Sequence, residues 1–296
     1  MKVFTLNTEC DLPVCLALGF FDCVHRGHAA LISKTVALAK EKNALSCVMT
    51  FSDNPYPFLS KGEKLIFTFS ERTKLFESAG VQAVFAVPFS KELMQTPKQE
   101  FLNLITSRLN VKGVVCGYDY KFGTGAEGDT EYLASFCDGL GIPCNVVPPV
   151  MYNGLRVSST LIKSKLLCGD IEQAAELLEH SYFIEGEVCH GRGVGRLFDF
   201  PTANVDYGSD KLLPKDGVYA TVSSVDGKKY KSVTNVGNKP TFNEYGATVE
   251  TMLSEFGGDL YGKLIRVEFV RRLRDIKKFA TPQELKNQIY SDASWR

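Results

Sequence analysis

The sequence predicts an α/β unit on a mostly parallel sheet, followed by a small antiparallel β-barrel with a C-terminal helix. Three observations predict it. Short apolar runs alternate with amphipathic helical stretches through the first half. The second half exchanges that alternation for β-rich runs separated by Gly, Asp, Asn and Pro turn signals. A length of 296 residues suits two cores better than one.

The elements follow in order. "VCLALGFF" is strand-like. "HAALISKTVALAKEKN" sets Leu31, Ile32, Val36 and Ala39 on one stripe, so it reads as a helix starting near His28. "ALSCVMTF" is a strand, and "SERTKLFESAG" a helix with Ser70 as cap and Gly80 at its close. "VQAVFAV" is a strand, and "TPKQEFLNLITSRLN" a helix with Pro97 suited to its first position. "VKGVVCG", "DTEYLASFCDGLG" and "IPCNVV" continue as strand, helix and strand. Such alternation gives a parallel sheet with helices on both faces. "SSTLIKSKLLCGDIEQAAELLEH" joins the halves as helical segments broken at Gly169–Asp170, and the boundary is set near residue 180, giving domains 1–180 and 181–296. In the second domain "YFIEGEVCHG", "GVYATVSSV", "KKYKSVTNVG", "TVETMLSEF" and "LIRVEFVRRL" are strands of a small barrel. "TPQELKNQIYSD" is the closing helix, with Thr281 as cap and Glu284 completing a capping box.

Composition narrows the function classes. Lys+Arg and Asp+Glu balance at 34 each, so no bulk charge draws the chain to nucleic acid or to an acidic membrane. No apolar run approaches the ~20 residues of a membrane helix, and the N-terminus carries no signal-peptide pattern. Nine cysteines are scattered without a C-x-x-C pair, which predicts reduced thiols and a cytoplasmic protein rather than a disulfide framework or a zinc ribbon.

The chemistry concentrates in a few stretches. In "GFFDCVHRGH", two of the chain's four histidines, His25 and His28, stand at a strand-to-helix turn. Free N–H groups and the positive end of a helix dipole suit phosphate there, beginning with Gly19 and Phe20. Compact imidazoles can stabilise charge on a phosphoryl group in transit, and Gly27 allows close backbone approach. As a metal site the H-x-x-H pair has no obvious third ligand. In "VSSTLIK", Ser158, Ser159 and Thr160 precede Lys163 by one turn, a plausible clamp for a polyphosphate or simply a serine-rich cap. "CGYDYKFGTGAEGD" is a Gly- and aromatic-rich loop able to wrap a flat ring by stacking.

Taken together, "GFFDCVHRGH", "CGYDYKFG…GD" and "RVSSTLIK", in that order, resemble the nucleotidyltransferase half of the bifunctional riboflavin kinase/FAD synthetase family of prokaryotic type. "GEVCHGRGVGRLFDFPTANV", "GVYA", "NVGNKPTF", "VETMLSEF" and "DLYGKLIRVEFVRRLRDIKKF" resemble its kinase half. The resemblance spans nearly the whole chain. It implies a Rossmann-like nucleotidyltransferase domain and a riboflavin kinase barrel. ATP would phosphorylate riboflavin to FMN, and a second ATP would adenylylate FMN to FAD with release of pyrophosphate. Riboflavin, FMN and ATP would be the partners, with Mg2+ as cofactor. By resemblance Thr202 and Asn204 bind the metal and ATP phosphate, Glu250 is the kinase base, and Gly191, Gly193, Gly195 and Arg196 form the loop over ATP. His25 and His28 stabilise charge as AMP is transferred, and Ser158, Ser159, Thr160 and Lys163 clamp the outer ATP phosphates. Asp119, Phe122, Gly123, Asn235 and Arg274 are expected on the flavin.

The sequence also departs from the family's pattern. Asn54 stands where histidine is usual, Lys163 where arginine is, Cys23 and Asp199 where glycine is, and Met252 where histidine is common. The "FG" loop usually holds a basic residue near Ala126 and Glu127, and here Glu127 is acidic. Two other readings therefore stay open: a riboflavin kinase with an impaired first domain, and a non-catalytic flavin- or nucleotide-binding protein.

Overall fold

The computed structural model describes residues 1–59, 62–189, 202–237 and 248–295. They fall into two compact units, Met1–Ser159 and Thr160–Arg296.

In the first unit the strands are β1 (Lys2–Thr5), β2 (Cys10–Leu18), β3 (Leu45–Phe51), β4 (Ala83–Val87), β5 (Leu109–Gly117) and β6 (Cys144–Val147). They form one sheet in the order β1-β4-β3-β2-β5-β6, with every pairing parallel. The crossovers carry α1 (Arg26–Glu41), the one-turn α2 (Tyr56–Leu59), α3 (Phe69–Ser78), α4 (Lys91–Met94), α5 (Lys98–Arg108) and α6 (Thr130–Gly139). Period-2 alternation divides the sheet residues between two faces. Val14, Leu16 and Leu18 of β2 join Phe101, Leu102 and Ile105 of α5 and Leu133 and Cys137 of α6 in one buried cluster. Leu31, Ile32, Leu38 and Ala39 are the buried stripe of α1. β2 ends at Leu18, at the middle of the sheet, where its chain must turn to reach α1. A small hairpin, β7 (Met151–Tyr152) and β8 (Leu155–Arg156), follows β6.

The second unit opens with α7 (Ser159–Cys168) and α8 (Ile171–Leu178), and the division between units falls at the first residue of α7. The break at Gly169–Asp170 is as expected: Gly169 takes a φ of +86° and Asp170 caps α8 by accepting from Gln173 N–H. β9 (Phe183–Cys189), β10 (Thr202–Asp206), β11 (Gly217–Val225), β12 (Lys228–Gly237), β13 (Thr248–Leu253) and β14 (Leu264–Arg274) close a barrel in the order β10-β13-β12-β11-β14-β9. Its interior is partly polar. Thr221, Ser223, Ser232, Thr234 and Thr251 are buried, and their hydroxyls bond to one another at 2.8–3.4 Å, so each has a partner in the absence of water. α9 (Pro282–Ala293) follows, and Trp295 beyond it donates to the Ser232 carbonyl.

Several expected details shift. β1 and β10 are strands that the sequence pattern did not mark. α1 begins at Arg26 rather than near His28, because His25 itself caps it. Thr68, not Ser70, caps α3 in a reciprocal capping box with Glu71. Pro97 precedes the first turn of α5 instead of entering it. Thr281 caps α9, but Glu284 reaches back to Ala280 N–H, so the box is not closed on Thr281. Among the described residues no helix is long and apolar enough to cross a membrane.

Candidate active sites

The turn after β2 is strained and locked. Phe21 (φ 54°) and Val24 (φ 46°) take left-handed backbone, which costs non-glycine residues on the order of 1–3 kcal/mol each. Phe21 is buried edge-on against Phe76, and burying a phenyl ring returns about 2–3 kcal/mol. Asp22 accepts from Ile66 N–H at 2.9 Å and from the Tyr56 hydroxyl at 3.0 Å. Arg72, fully buried on α3, donates to the Phe20 carbonyl (2.9 Å), Thr50 Oγ1 (2.6 Å) and the Phe51 carbonyl (2.8 Å). Burial lowers its pKa to about 10, so it stays charged at neutral pH. The sequence signal for this role is an arginine three and four residues before Leu75 and Phe76, on the stripe that α3 buries.

Locked in this way, the turn delivers the histidines. His25 Nδ1 accepts from His28 N–H at 3.1 Å and caps α1. The two rings stack with centroids 3.7 Å apart and planes 6° apart. Gly27 leaves room for the ring: a Cβ would lie 3.0 Å from His25 Cε1, a tight contact. Burial lowers the pKa of His25 to about 4. His28 is held well below the ordinary histidine value by burial, then by the charges of His25 and Arg72. Both rings are therefore neutral near pH 7. Because Nδ1 of His25 accepts, its proton sits on Nε2, a donor.

These residues face a cavity of about 870 Å³. Gly19, Phe20, His25, Gly27, His28, Asp119, Phe122, Gly123, Ser158 and Ser159 all line it. Gly123 takes a φ of +76° with its Cα against the Lys98 backbone, where a Cβ would come within 2.8 Å. Thr160 lies on the first turn of α7 and Lys163 on the next, in the second unit. Asn54 accepts from Tyr56 N–H, a local turn before α2. Glu127 accepts from Lys98 N–H at the start of α5, so the acid that departs from the family's basic residue complements a helix N-terminus. The missing third metal-type donor beside the histidines is Cys23: its sulfur and one nitrogen of each ring lie within 4.8 Å of one another.

The barrel holds the second cluster. Asn204 of β10 pairs directly with Glu250 of β13, and Glu250 with Asn235 of β12. Direct partners in a ladder point to the same face, about 5 Å apart. Thr202, two residues from Asn204, shares that face opposite Met252. Glu250 is half-buried between Val249 and Thr251, whose side chains turn into the barrel. Arg274, expected on the flavin, directs its guanidinium to Asp292 of α9, with Nη2 2.6 Å from Oδ2. Gly191, Gly193, Gly195, Arg196 and Asp199 lie outside the described residues.

The architecture is thus a parallel α/β unit with a histidine-bearing turn at its cavity, followed by a closed barrel with an acid–amide row. The FAD synthetase family model matches residues 7–161, and the riboflavin kinase model residues 178–295. Bifunctional riboflavin kinase/FMN adenylyltransferases of Bacillus subtilis, Pseudomonas fluorescens and Escherichia coli K12 are 34%, 32% and 32% identical to the chain. The matches cover 94%, 95% and 94% of this chain and 89%, 91% and 90% of theirs. A crystal structure from Streptococcus pneumoniae, described as a macrolide-efflux protein, superposes with a TM-score of 0.89 at 28% identity over the whole of both chains. The chain belongs to the bifunctional riboflavin kinase/FMN adenylyltransferase family.

Proposed function

We propose that the barrel row of Glu250, Asn204, Asn235 and Thr202 is the riboflavin kinase site, and that the first unit's cavity is the FMN adenylyltransferase site. The enzyme phosphorylates riboflavin to FMN with ATP, then adenylylates FMN to FAD with a second ATP, releasing pyrophosphate. The observation that carries this reading is that His25, His28, Asp119, Phe122, Ser158 and Ser159 line one cavity of the first unit, while Asn204, Glu250 and Asn235 are cross-strand partners in the barrel.

In the kinase step Glu250 is the base that takes the proton from the flavin's ribityl hydroxyl. Asn235, its direct neighbour on β12, orients the flavin side of the row. Thr202 and Asn204 offer hard oxygen donors on one face beside a carboxylate, a donor set that fits Mg2+. When bound there, Mg2+ neutralises charge on the transferring phosphoryl group. Gly191, Gly193, Gly195 and Arg196 complete the ATP side. Arg274 contributes to the flavin side by holding α9 through Asp292.

In the adenylyl step FMN phosphate attacks the ATP α-phosphate directly, without a covalent protein intermediate. The N-terminus of α1 and the neutral N–H donors of His25 and His28 stabilise charge as it builds. The buried Arg72 cation supports them from below the turn. Ser158, Ser159, Thr160 and Lys163 hold the outer phosphates, and Asp119, Phe122 and Gly123 line the flavin side. Lys163 supplies charge without arginine's bidentate fork. Nine free cysteines support a cytoplasmic location.

Riboflavin, ATP and magnesium incubated with the full chain test this reading by flavin chromatography. FMN followed by FAD is the expected result. FMN alone favours the kinase-only alternative, for which the commitment of Asn54 and Glu127 to local backbone is the supporting observation. No product favours the binding-protein alternative.

A further inference from the structure

Cys23 stands where the family's pattern has glycine, and the fold folds its thiol in beside both histidines. We propose that Cys23, His25 and His28 form a binding site for a borderline-soft divalent metal of the zinc class, and that loading it blocks FMN adenylylation while sparing riboflavin phosphorylation.

The donor set is the first argument. One thiol and two imidazoles lie within 4.8 Å of one another, the only such group of His, Cys, Asp and Glu among the described residues. Nitrogen and sulfur ligands select zinc-class ions over magnesium. His28 Nδ1 is buried and has no hydrogen-bond partner among the described residues. On ligation the thiol releases its proton to solvent.

Three protein ligands leave a fourth position. Ser159 Oγ lies 3.4 Å from Cys23 Sγ and lines the cavity with His25 and His28. The fourth ligand is therefore that hydroxyl, a water or a phosphate oxygen from the cavity side. Donors bonded to one zinc sit about 3.3–3.8 Å apart, given bonds of about 2.0–2.3 Å. Ligation must draw the three groups inward and turn the stacked rings until their lone pairs converge. The lone pair of His25 Nδ1 is spent on capping α1. Ligation through either nitrogen of that ring gives up the cap bond, since a proton moved to Nδ1 can no longer accept from His28 N–H. The metal-loaded and metal-free arrangements thus compete for the same residues. Metal binding rests on this geometry alone; the selective block rests also on the adenylyltransferase reading.

The test uses the full reduced chain with Co2+ as spectroscopic probe. One equivalent should produce a thiolate-to-cobalt band and tetrahedral d–d bands that Zn2+ displaces. Both should vanish in Cys23→Ser and in Cys23→Gly, which restores the family's residue. One equivalent of Zn2+ should cut wild-type FAD formation about tenfold or more, leave FMN formation unchanged, and spare both variants. Absence of the band, or its persistence in both variants through exposed thiols such as Cys168 and Cys189, overturns the site. Equal inhibition of wild type and variants overturns the block. A metal-free wild type that makes no FAD refutes the functional reading and leaves the cobalt result intact.

Discussion

Asn204 and Glu250 are direct cross-strand partners on β10 and β13, so the amide expected at the metal and the carboxylate expected to act as base share one face of the barrel. Neither position carries that meaning alone. Together with Asn235 they put a base between two amides. Glu250→Gln keeps the shape and removes the proton acceptor. FMN formation should fall about 10²–10⁴-fold, while FAD formation from supplied FMN stays at the wild-type rate. Steady-state rates with riboflavin and with FMN as substrate check both halves.

Gly27 leaves room for the His25 ring, and a Cβ at 3.0 Å would make that capped, stacked ring give by a few tenths of an ångström. Gly27→Ala should lower the rate of FAD formation about 10–10²-fold through misplacement alone. FMN formation should not change. An unaltered rate of FAD formation would remove the stacked arrangement from the mechanism.

Arg72 holds the carbonyls of Phe20 and Phe51 with one buried guanidinium. Arg72→Met strands the Phe51 carbonyl but also removes a costly buried charge. The net loss should be about 2 kcal/mol, seen in denaturant unfolding, together with a loss of FAD formation. Arg72→Lys retains charge yet cannot span both carbonyls, so it should recover only part of each.

Lys163→Ala should raise the KM for ATP in FAD formation and leave the kinase KM unchanged. Initial rates across ATP concentrations separate the two. Lys163→Arg, which restores the bidentate fork, should lower that KM.

His25 has a folded-state pKa of about 4, depressed by burial from an ordinary value near 6.5. Between those values the unfolded chain binds the proton and the folded chain does not, so stability rises with pH. The stability is fully present above pH ~6.5 and is lost as pH falls toward 4, by about 3 kcal/mol from this group. His28 shifts in the same direction. His25→Asn, which can still cap α1, should show a smaller loss between pH 6.5 and 4 in urea titrations.

Much of this was legible in the chain, for physical reasons. Period-3.6 stripes and apolar runs marked α1 and the central strands because both faces of a parallel sheet are buried. The placing of His25 and His28 at a strand-to-helix turn was readable from the apolar run before them and the amphipathic stripe after them. β10 was not, because its five residues follow a glycine-rich stretch and alternate polar with apolar side chains too briefly to signal a strand. The Asn204–Glu250–Asn235 row could not be read at all, since register arises from pairing between distant segments. Arg72 was hidden for the opposite reason: an arginine in a helix ordinarily marks the solvated face. Cys23 stands out in the sequence as a departure from the family's pattern, but only folding brings its sulfur to the histidine pair.

The most direct test of two separable sites mixes two disabled chains. Glu250→Gln should make FAD from FMN but not from riboflavin, and His28→Gln should stop at FMN. Mixed with riboflavin, ATP and magnesium, the two should together restore FAD. A mixture that yields no FAD, or a Glu250→Gln chain that cannot use supplied FMN, would contradict the account.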